Sequence, residues 1–301
     1  MFKRSMKNKG ICAILVTVAI AAVALSGLVG CQLQTNTEVK KTLTPKIADN
    51  ATIHSGILTV GINASNSPYG GSNSSNQTVG LDVDVAAAIA EELGLQLQIV
   101  DVKSSGRNAL TNGQIDLALG MTKSGTSDKI SYTGSYISDG PSLFCLKGNE
   151  PESIEAVASA AAAGDVKILV QADTTSAMKV QESIGIDKIV AVPTIQEAFE
   201  ALQRGDQKYL VADAVIGDYF ARNYENVVRA GFLGADCVTP IYGVMMSSKT
   251  ELSKGVSDAV NTISKNGVLR VITAKWLGSD GKSLMPGNVD ISKLPARAFG
   301  V

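Results

Sequence analysis

The 301-residue sequence has one histidine, His54, and four cysteines, and none of them stands with carboxylates at the spacing of metal ligands. Neither a metal centre nor a bound cofactor is expected. Basic residues are not in excess either: 27 lysines and arginines face 28 aspartates and glutamates, for a formal charge of −1. Such a balance does not invite nucleic acid or an anionic lipid surface. Residues 53–301 contain no apolar run long enough to cross a bilayer.

The N-terminus is where the apolar residues gather. Lys3, Arg4, Lys7 and Lys9 precede an apolar run from Ile11 to Val29 that stops at Leu28-Val29-Gly30-Cys31. A basic start, an apolar middle and small residues at a cleavage point have the order of an export signal. The Leu-Val-Gly-Cys ending resembles the bacterial lipoprotein box, whose cysteine takes the lipid and becomes the mature N-terminus. An uncleaved anchor helix is the alternative, since the run approaches the ~20 residues that span a bilayer; Gly27, Gly30 and the placing of Cys31 argue against it. Removing residues 1–30, with four basic and no acidic residues, takes the charge from −1 to −5 and leaves 301 − 30 = 271 residues. That length suffices for one large or two ordinary domains. Cys12 leaves with the signal and Cys31 is the lipidation site, so Cys145 and Cys237 remain either as an exported disulfide or as two buried thiols.

Residues 31–52 show no sustained apolar period and read as a flexible tether. Strand and helix patterns then alternate: strand Ile57–Ile62, a loop rich in Asn, Ser and Gly over 63–76, helix Asp84–Leu93, strand Leu97–Val100, a short helix near Asn108–Thr111 and strand Ile115–Leu119. The pattern recurs with strand Val166–Val170, helix Thr175–Ser183, strand Ile189–Val192, helix Thr194–Gln203 and strand Tyr209–Ala212; Gly205 leads into the last as Gly113 leads into Ile115. This alternation predicts an α/β protein of two similar lobes, each a mostly parallel sheet with flanking helices. Strand Ile241–Met246 and helices Leu252–Lys265 and Val268–Leu277 are too short a tail to fold alone. They are expected to return to the first lobe, giving two hinge crossovers, with residues 53–140 and 240–301 in lobe 1 and 141–239 in lobe 2.

Between Ile57 and Gly278 the order of short motifs resembles the extracellular solute-binding proteins that capture polar amino acids for ABC importers, with the two-lobed type II periplasmic-binding-protein fold. The carriers are Leu58-Thr59-Val60-Gly61, Ser67-Pro68-Tyr69, Gly80-Leu81-Asp82-Val83-Asp84-Val85-Ala86, Ala109 to Leu117 with Gly120-Met121-Thr122, and Val170-Gln171-Ala172-Asp173-Thr174-Thr175. Glu197 to Leu202, Val211-Ala212-Asp213-Ala214, Tyr242-Gly243-Val244 and Lys275-Trp276-Leu277-Gly278 continue the series.

The resemblance implies a ligand trapped between the lobes, at the carboxyl ends of the strands. Asp213 matches an aspartate that holds the ligand's α-ammonium group; its plainer reading is a cap for the following helix. Thr174, Thr175 and Ser176 match a turn that helps hold the carboxylate, and the same residues suit a helix N-cap. Gly120 and Thr122 match positions that offer a carbonyl and a hydroxyl to the amino group, and Asn63 stands where many members have an aspartate for the side chain. The Thr-Pro-Glu-Arg segment usual after Gly120-Met121-Thr122 is absent: Lys123-Ser124-Gly125-Thr126-Ser127-Asp128 replaces it, without the arginine that grips a carboxylate. Asn66 and Ser104 stand where aromatic residues commonly cover the ligand, which leaves Tyr69 as the nearest ring. Ser104-Ser105-Gly106-Arg107 resembles a Ser-x-x-Arg arrangement in which both residues reach the ligand. Arg107 is therefore either a carboxylate clamp or a solvated charge, with Lys123 as a second candidate counter-charge.

The function this implies is a monomeric, lipid-anchored binding protein on the outer face of the cytoplasmic membrane, passing a small amino-acid-like solute to an ABC permease. Two alternatives are an enzyme on the same scaffold, dehydratase- or lyase-like, and the ligand-sensing subunit of a receptor. The first needs a glutamate or histidine in the cleft, and the matched positions offer neither, so no catalytic residue is expected. The second needs a separate membrane partner.

Overall fold

The computed structural model describes residues 43–125, 127–297 and 299. The expected signal of residues 1–30, the lipidation site Cys31 and residues 31–42 of the tether lie outside the described residues.

In chain order the elements are β1 (Ile57–Ile62), β2 (Gly71–Ser72), β3 (Thr78–Val79), α1 (Leu81–Leu93), β4 (Gln96–Asp101), α2 (Gly106–Thr111), β5 (Leu117–Met121), β6 (Ile130–Asp139) and β7 (Pro141–Leu146). There follow α3 (Ile154–Ala163), β8 (Ile168–Gln171), α4 (Thr175–Ile184), β9 (Ile189–Val192), α5 (Ile195–Arg204), β10 (Tyr209–Asp213), α6 (Ala214–Ala221), β11 (Val227–Phe232), β12 (Thr239–Met246), α7 (Thr250–Lys265) and α8 (Val268–Leu277). The first large sheet has the order β4-β1-β5-β12-β6 and the second β11-β7-β10-β8-β9, with β2 and β3 forming a small hairpin.

Local chemistry sets the elements. In α1, Val85, Ala86, Ile89 and Leu93 recur at helical spacing and are buried, and the helix ends at Gly94. In α5 the Thr194 hydroxyl accepts the Glu197 N–H at 3.1 Å and donates to the Glu197 carboxylate at 3.1 Å, an N-cap that fixes where the helix begins. Apolar side chains cover both faces of each sheet. On the first sheet, α1, α7 and α8 bury one face, and Ala109 and Leu110 of α2 bury the other against Ala118 and Val244. On the second, α3 and α4 pack with Leu143, Val170 and Val211, while Phe199 of α5 packs with Phe144 and Leu210 on the opposite side. Ala214 and Val215 of α6 belong to the first core, whereas Ile216 and Phe220 of the same helix pack on the second.

The structure bears on four expectations. Each sheet is mostly parallel, as expected, with one strand reversed: β4, β1, β5 and β6 run one way in the first sheet and β12 runs against them, and β8, β9, β10 and β11 run one way in the second with β7 against them. The reversed strands, β7 and β12, are the ones the chain forms on passing from one sheet to the other, where no α-helix intervenes to restore direction. Second, the described part of the tether is packed: the Lys46 N–H donates to Leu93 O at 2.9 Å, the Ala48 N–H to Glu251 Oε1 at 2.7 Å, and Ala51 and Thr52 are buried. Two apolar anchors, Ile47 and Ala51, are too few to show a period, yet they hold the segment on the first core.

Third, the C-terminal tail does not stay with the first sheet. Leu284 and Met285 enter the first core, but the N–H groups of Ala235 and Asp236 donate to Pro295 O (2.7 Å) and Ala296 O (3.3 Å), and the Phe299 N–H donates to Leu233 O at 3.1 Å. Phe299, 1% exposed, lies in the second core beside Leu233 and Cys237. The chain thus crosses between the sheets a third time. Fourth, Cys145 and Cys237 are buried free thiols. Gly140 lies so close to Cys237 that a β-carbon on it would stand 2.1 Å from Cys237 O. Cys145 is five residues further along β7, about 16 Å at strand rise, against the roughly 7 Å between α-carbons that a disulfide spans. Burial raises both thiols, to about 11 and about 12.

Candidate ligand-binding site

The loops after β1, β4 and β5 leave the same edge of the first sheet and enclose a cavity of about 190 Å³. Asn63, Tyr69, Ser104, Gly120 and Thr122, all singled out in the sequence, line it together with Asp82. Asp101 at the end of β4 helps set the rim: its Oδ1 accepts the N–H groups of Ala64 (3.1 Å) and Lys103 (3.0 Å), tying two of the loops.

Within this cavity the side chains are partly committed. Asn63 Oδ1 accepts the Ser65 N–H at 3.0 Å, which leaves its amide as a donor. The Tyr69 hydroxyl donates to Asp139 Oδ2 at 2.7 Å, so the ring walls the cavity while its polar end points elsewhere. Gly120 adopts φ +71°, a conformation that strains any residue with a β-carbon. Its N–H donates to the Tyr136 hydroxyl at 2.7 Å, and that hydroxyl donates to Asp82 Oδ1 at 2.7 Å.

Arg107 is not part of the cavity lining. One guanidinium nitrogen donates to Thr122 O (2.7 Å) and to the Tyr132 hydroxyl (3.0 Å), and the group lies 5.6 Å from the Tyr132 ring centre. It fastens α2 to the end of β5, and its hydrogen bond lowers the Tyr132 pKa. Lys123 sits 4.8 Å from the centre of the Tyr242 ring and 5.8 Å from that of Tyr132.

In the second sheet, Asp213 ends β10 and Thr174 to Ser176 follow β8, again at the carboxyl ends of parallel strands. Asp213 occupies the N-cap position of α6, but its side chain caps nothing. Asp139 does that work: its Oδ1 accepts the N–H groups of Val215 (3.0 Å) and Gly140 (2.8 Å). The Asp213 carboxylate is thereby freed, and its Oδ1 accepts the Ser176 hydroxyl at 2.5 Å. Burial, and then the charge of Asp213, raise the Asp139 carboxyl to about 6. Thr174 spends its hydroxyl on the helix, accepting the Ala177 N–H (3.1 Å) and donating to Gln171 O (2.9 Å). The N–H groups of Thr175 and Ser176, in the first turn of α4, have no intrahelical acceptor and suit an anion.

Sequence reasoning missed the structural parts played by Asp82, Asp139 and Tyr136. Asp82 carried a signal. It precedes Val85, Ala86 and Ile89 by three, four and seven residues, so it falls on the buried face of α1 and is a charged residue where an apolar one is expected. Asp139 and Tyr136 lie on β6, whose serines and threonine obscure its pattern.

Two α/β sheets joined by crossovers, with polar strand-end loops on both, define a two-lobed binding-protein architecture of the type II periplasmic class. Residues 58–279 match the model of the bacterial extracellular solute-binding proteins, family 3, and the chain belongs to that family. It is 24% identical over 262 residues to the glutamate-binding protein GluB of Corynebacterium glutamicum, covering 82% of this chain and 87% of that one. It is 25% identical over 232 residues to the L-cystine-binding protein TcyA of Bacillus subtilis, covering 75% and 82%. Among solved structures, an ancestral cationic amino acid solute-binding protein aligns with a TM-score of 0.62 at 26% identity over 74% of this chain and 96% of that one. The unliganded, open L-cystine solute receptor of Neisseria gonorrhoeae shares the fold, with a TM-score of 0.64 at 18% identity over 77% and 95%.

Proposed function

We propose that this protein captures a small amino-acid-like solute between its two lobes and hands it to an ABC permease, working as a monomer held on the outer face of the cytoplasmic membrane by a lipid on Cys31. The observation that carries the binding role is the freed carboxylate of Asp213. A neighbouring aspartate caps α6 in its place, and Ser176 orients it at a strand end where a ligand ammonium would lie. Opposite charge, low local dielectric and the free first-turn N–H groups of Thr175 and Ser176 make a matched pair of acceptor and donor for a zwitterion. The relatives named for glutamate, cystine and cationic amino acids differ in side-chain chemistry but share the α-amino-acid group, which supports that class and leaves the side chain open.

The family-position residues of the first-lobe cavity contribute donors and a ring in place of the missing arginine: the Asn63 amide, the hydroxyls of Ser104 and Thr122, and Tyr69. The match to a family of solute-binding proteins, and to relatives named as binding proteins, supports capture over turnover. A thermal-shift screen with the twenty amino acids, dipeptides, amines and sugars tests the reading, because a ligand that binds only the folded chain raises its melting temperature. An amino acid should give the largest shift and be recovered unchanged; a shift with sugars alone would refute the class. For the anchor, Cys31→Ser should release the protein from membranes, and unchanged attachment with an intact 1–30 segment would refute it.

A further inference from the structure

Asp82 is 2% exposed, yet it lines the first-lobe cavity. Its Oδ1 accepts the Tyr136 hydroxyl, and its Oδ2 faces Gly120, close enough that a β-carbon on Gly120 would stand 2.7 Å from it. Among the described residues no cation pairs with this carboxylate and no donor reaches Oδ2. The neighbouring acid on α1, Asp84, differs: Lys275 and the Trp276 indole N–H both donate to it, at 2.6 and 2.7 Å. Oδ2 is not one of the fully buried atoms left without a partner; it opens on the cavity where the ligand is proposed to sit.

We infer that Asp82 is a ligand-reading carboxylate, accepting a primary ammonium group that enters the first-lobe cavity beside Gly120, with Tyr136 holding the carboxylate and the Gly120 loop in register. The inference rests on the proposed function only in taking this cavity as the ligand site. Its chemistry fits the surroundings. Tyr136 reaches Asp82 from β6 and Tyr69 approaches from the loop after β1 with Asp139 behind it, while Lys103 in the cavity wall is the like charge that an entering ammonium has to outcompete. Burial raises the Asp82 carboxyl to about 7, and the Tyr136 hydrogen bond offsets part of the rise. An ammonium beside Oδ2 favours the ionised form and so competes with the proton.

The test follows the Asp82 carboxyl carbon by NMR in the purified, carbon-13-aspartate-labelled chain. The resonance is assigned by its loss in Asp82→Asn and, should that variant not fold, by its displacement in Tyr136→Phe. Methylammonium, the smallest primary ammonium probe, should make the carboxyl about tenfold more acidic, moving its midpoint down by about one pH unit. Tetramethylammonium at the same ionic strength carries the charge without an N–H donor and should leave the midpoint in place. Equal effects of the two cations, or none from either, would overturn the inference. The outcome does not depend on the amino-acid screen, which tests the proposed function separately.

Discussion

If Asp82 is kept for recognition, removing its charge should strengthen the fold, and the effect should depend on pH. The unfolded carboxyl titrates near 3.8 and the folded one near 7, so between those values the folded state binds more protons than the unfolded. Stability contributed by the protonated group is therefore fully present below about pH 4 and is lost as pH rises toward 7. The difference between the two midpoints corresponds to about 4 kcal/mol at most. Asp82→Asn keeps an oxygen for the Tyr136 hydroxyl and cannot ionise. Parent and variant should be equally stable at pH 4, and the variant more stable by up to about 4 kcal/mol at pH 8. Urea unfolding at pH 4, 6 and 8, followed by the single tryptophan, Trp276, gives the comparison. A variant less stable than the parent at pH 8, or a difference that does not change with pH, would refute the reasoning.

Further expectations concern the helix cap and the tail. Asp139→Ala deprives the Val215 and Gly140 N–H groups and the Tyr69 hydroxyl of their acceptor, so the urea midpoint should fall by the equivalent of about 2–4 kcal/mol. Amide exchange at Val215 should quicken, which Asp213→Asn should not cause. Phe299→Ala empties a site in the second core and should cost about 3–5 kcal/mol. Its effect on amide exchange should be largest in the β11–β12 segment around Leu233 and small in α1; an effect spread evenly over both sheets would argue against the third crossing.

Much of the second sheet's helical side and the core of the first were legible in the sequence, because Val85, Ile89 and Leu93 or Ala198, Phe199 and Leu202 repeat at one helical face and Gly94 and Gly205 punctuate them. Strands β6 and β7 were not. Ile130–Asp139 mixes serine, threonine and tyrosine on a sheet-edge strand, and Pro141 begins the next, so neither shows clean alternation. The tail was missed for a different reason: one phenylalanine in a polar stretch gives no period, although it reaches a distant core. In the candidate site, the sequence led to the strand-end positions but not to who bonds whom. That Asp139 rather than Asp213 caps α6 depends on a bond between residues 76 apart in the chain, and no local pattern encodes it.

The central claim is that the Asp213 carboxylate holds a ligand ammonium. Calorimetric titration of the amino acid with the largest thermal shift into the parent and into Asp213→Asn tests it most directly. Removing one charged partner from a buried pair should cost about 2–5 kcal/mol, a loss of about thirtyfold or more in dissociation constant, with the melting temperature of the free protein little changed. Equal affinity in the two proteins would contradict the claim.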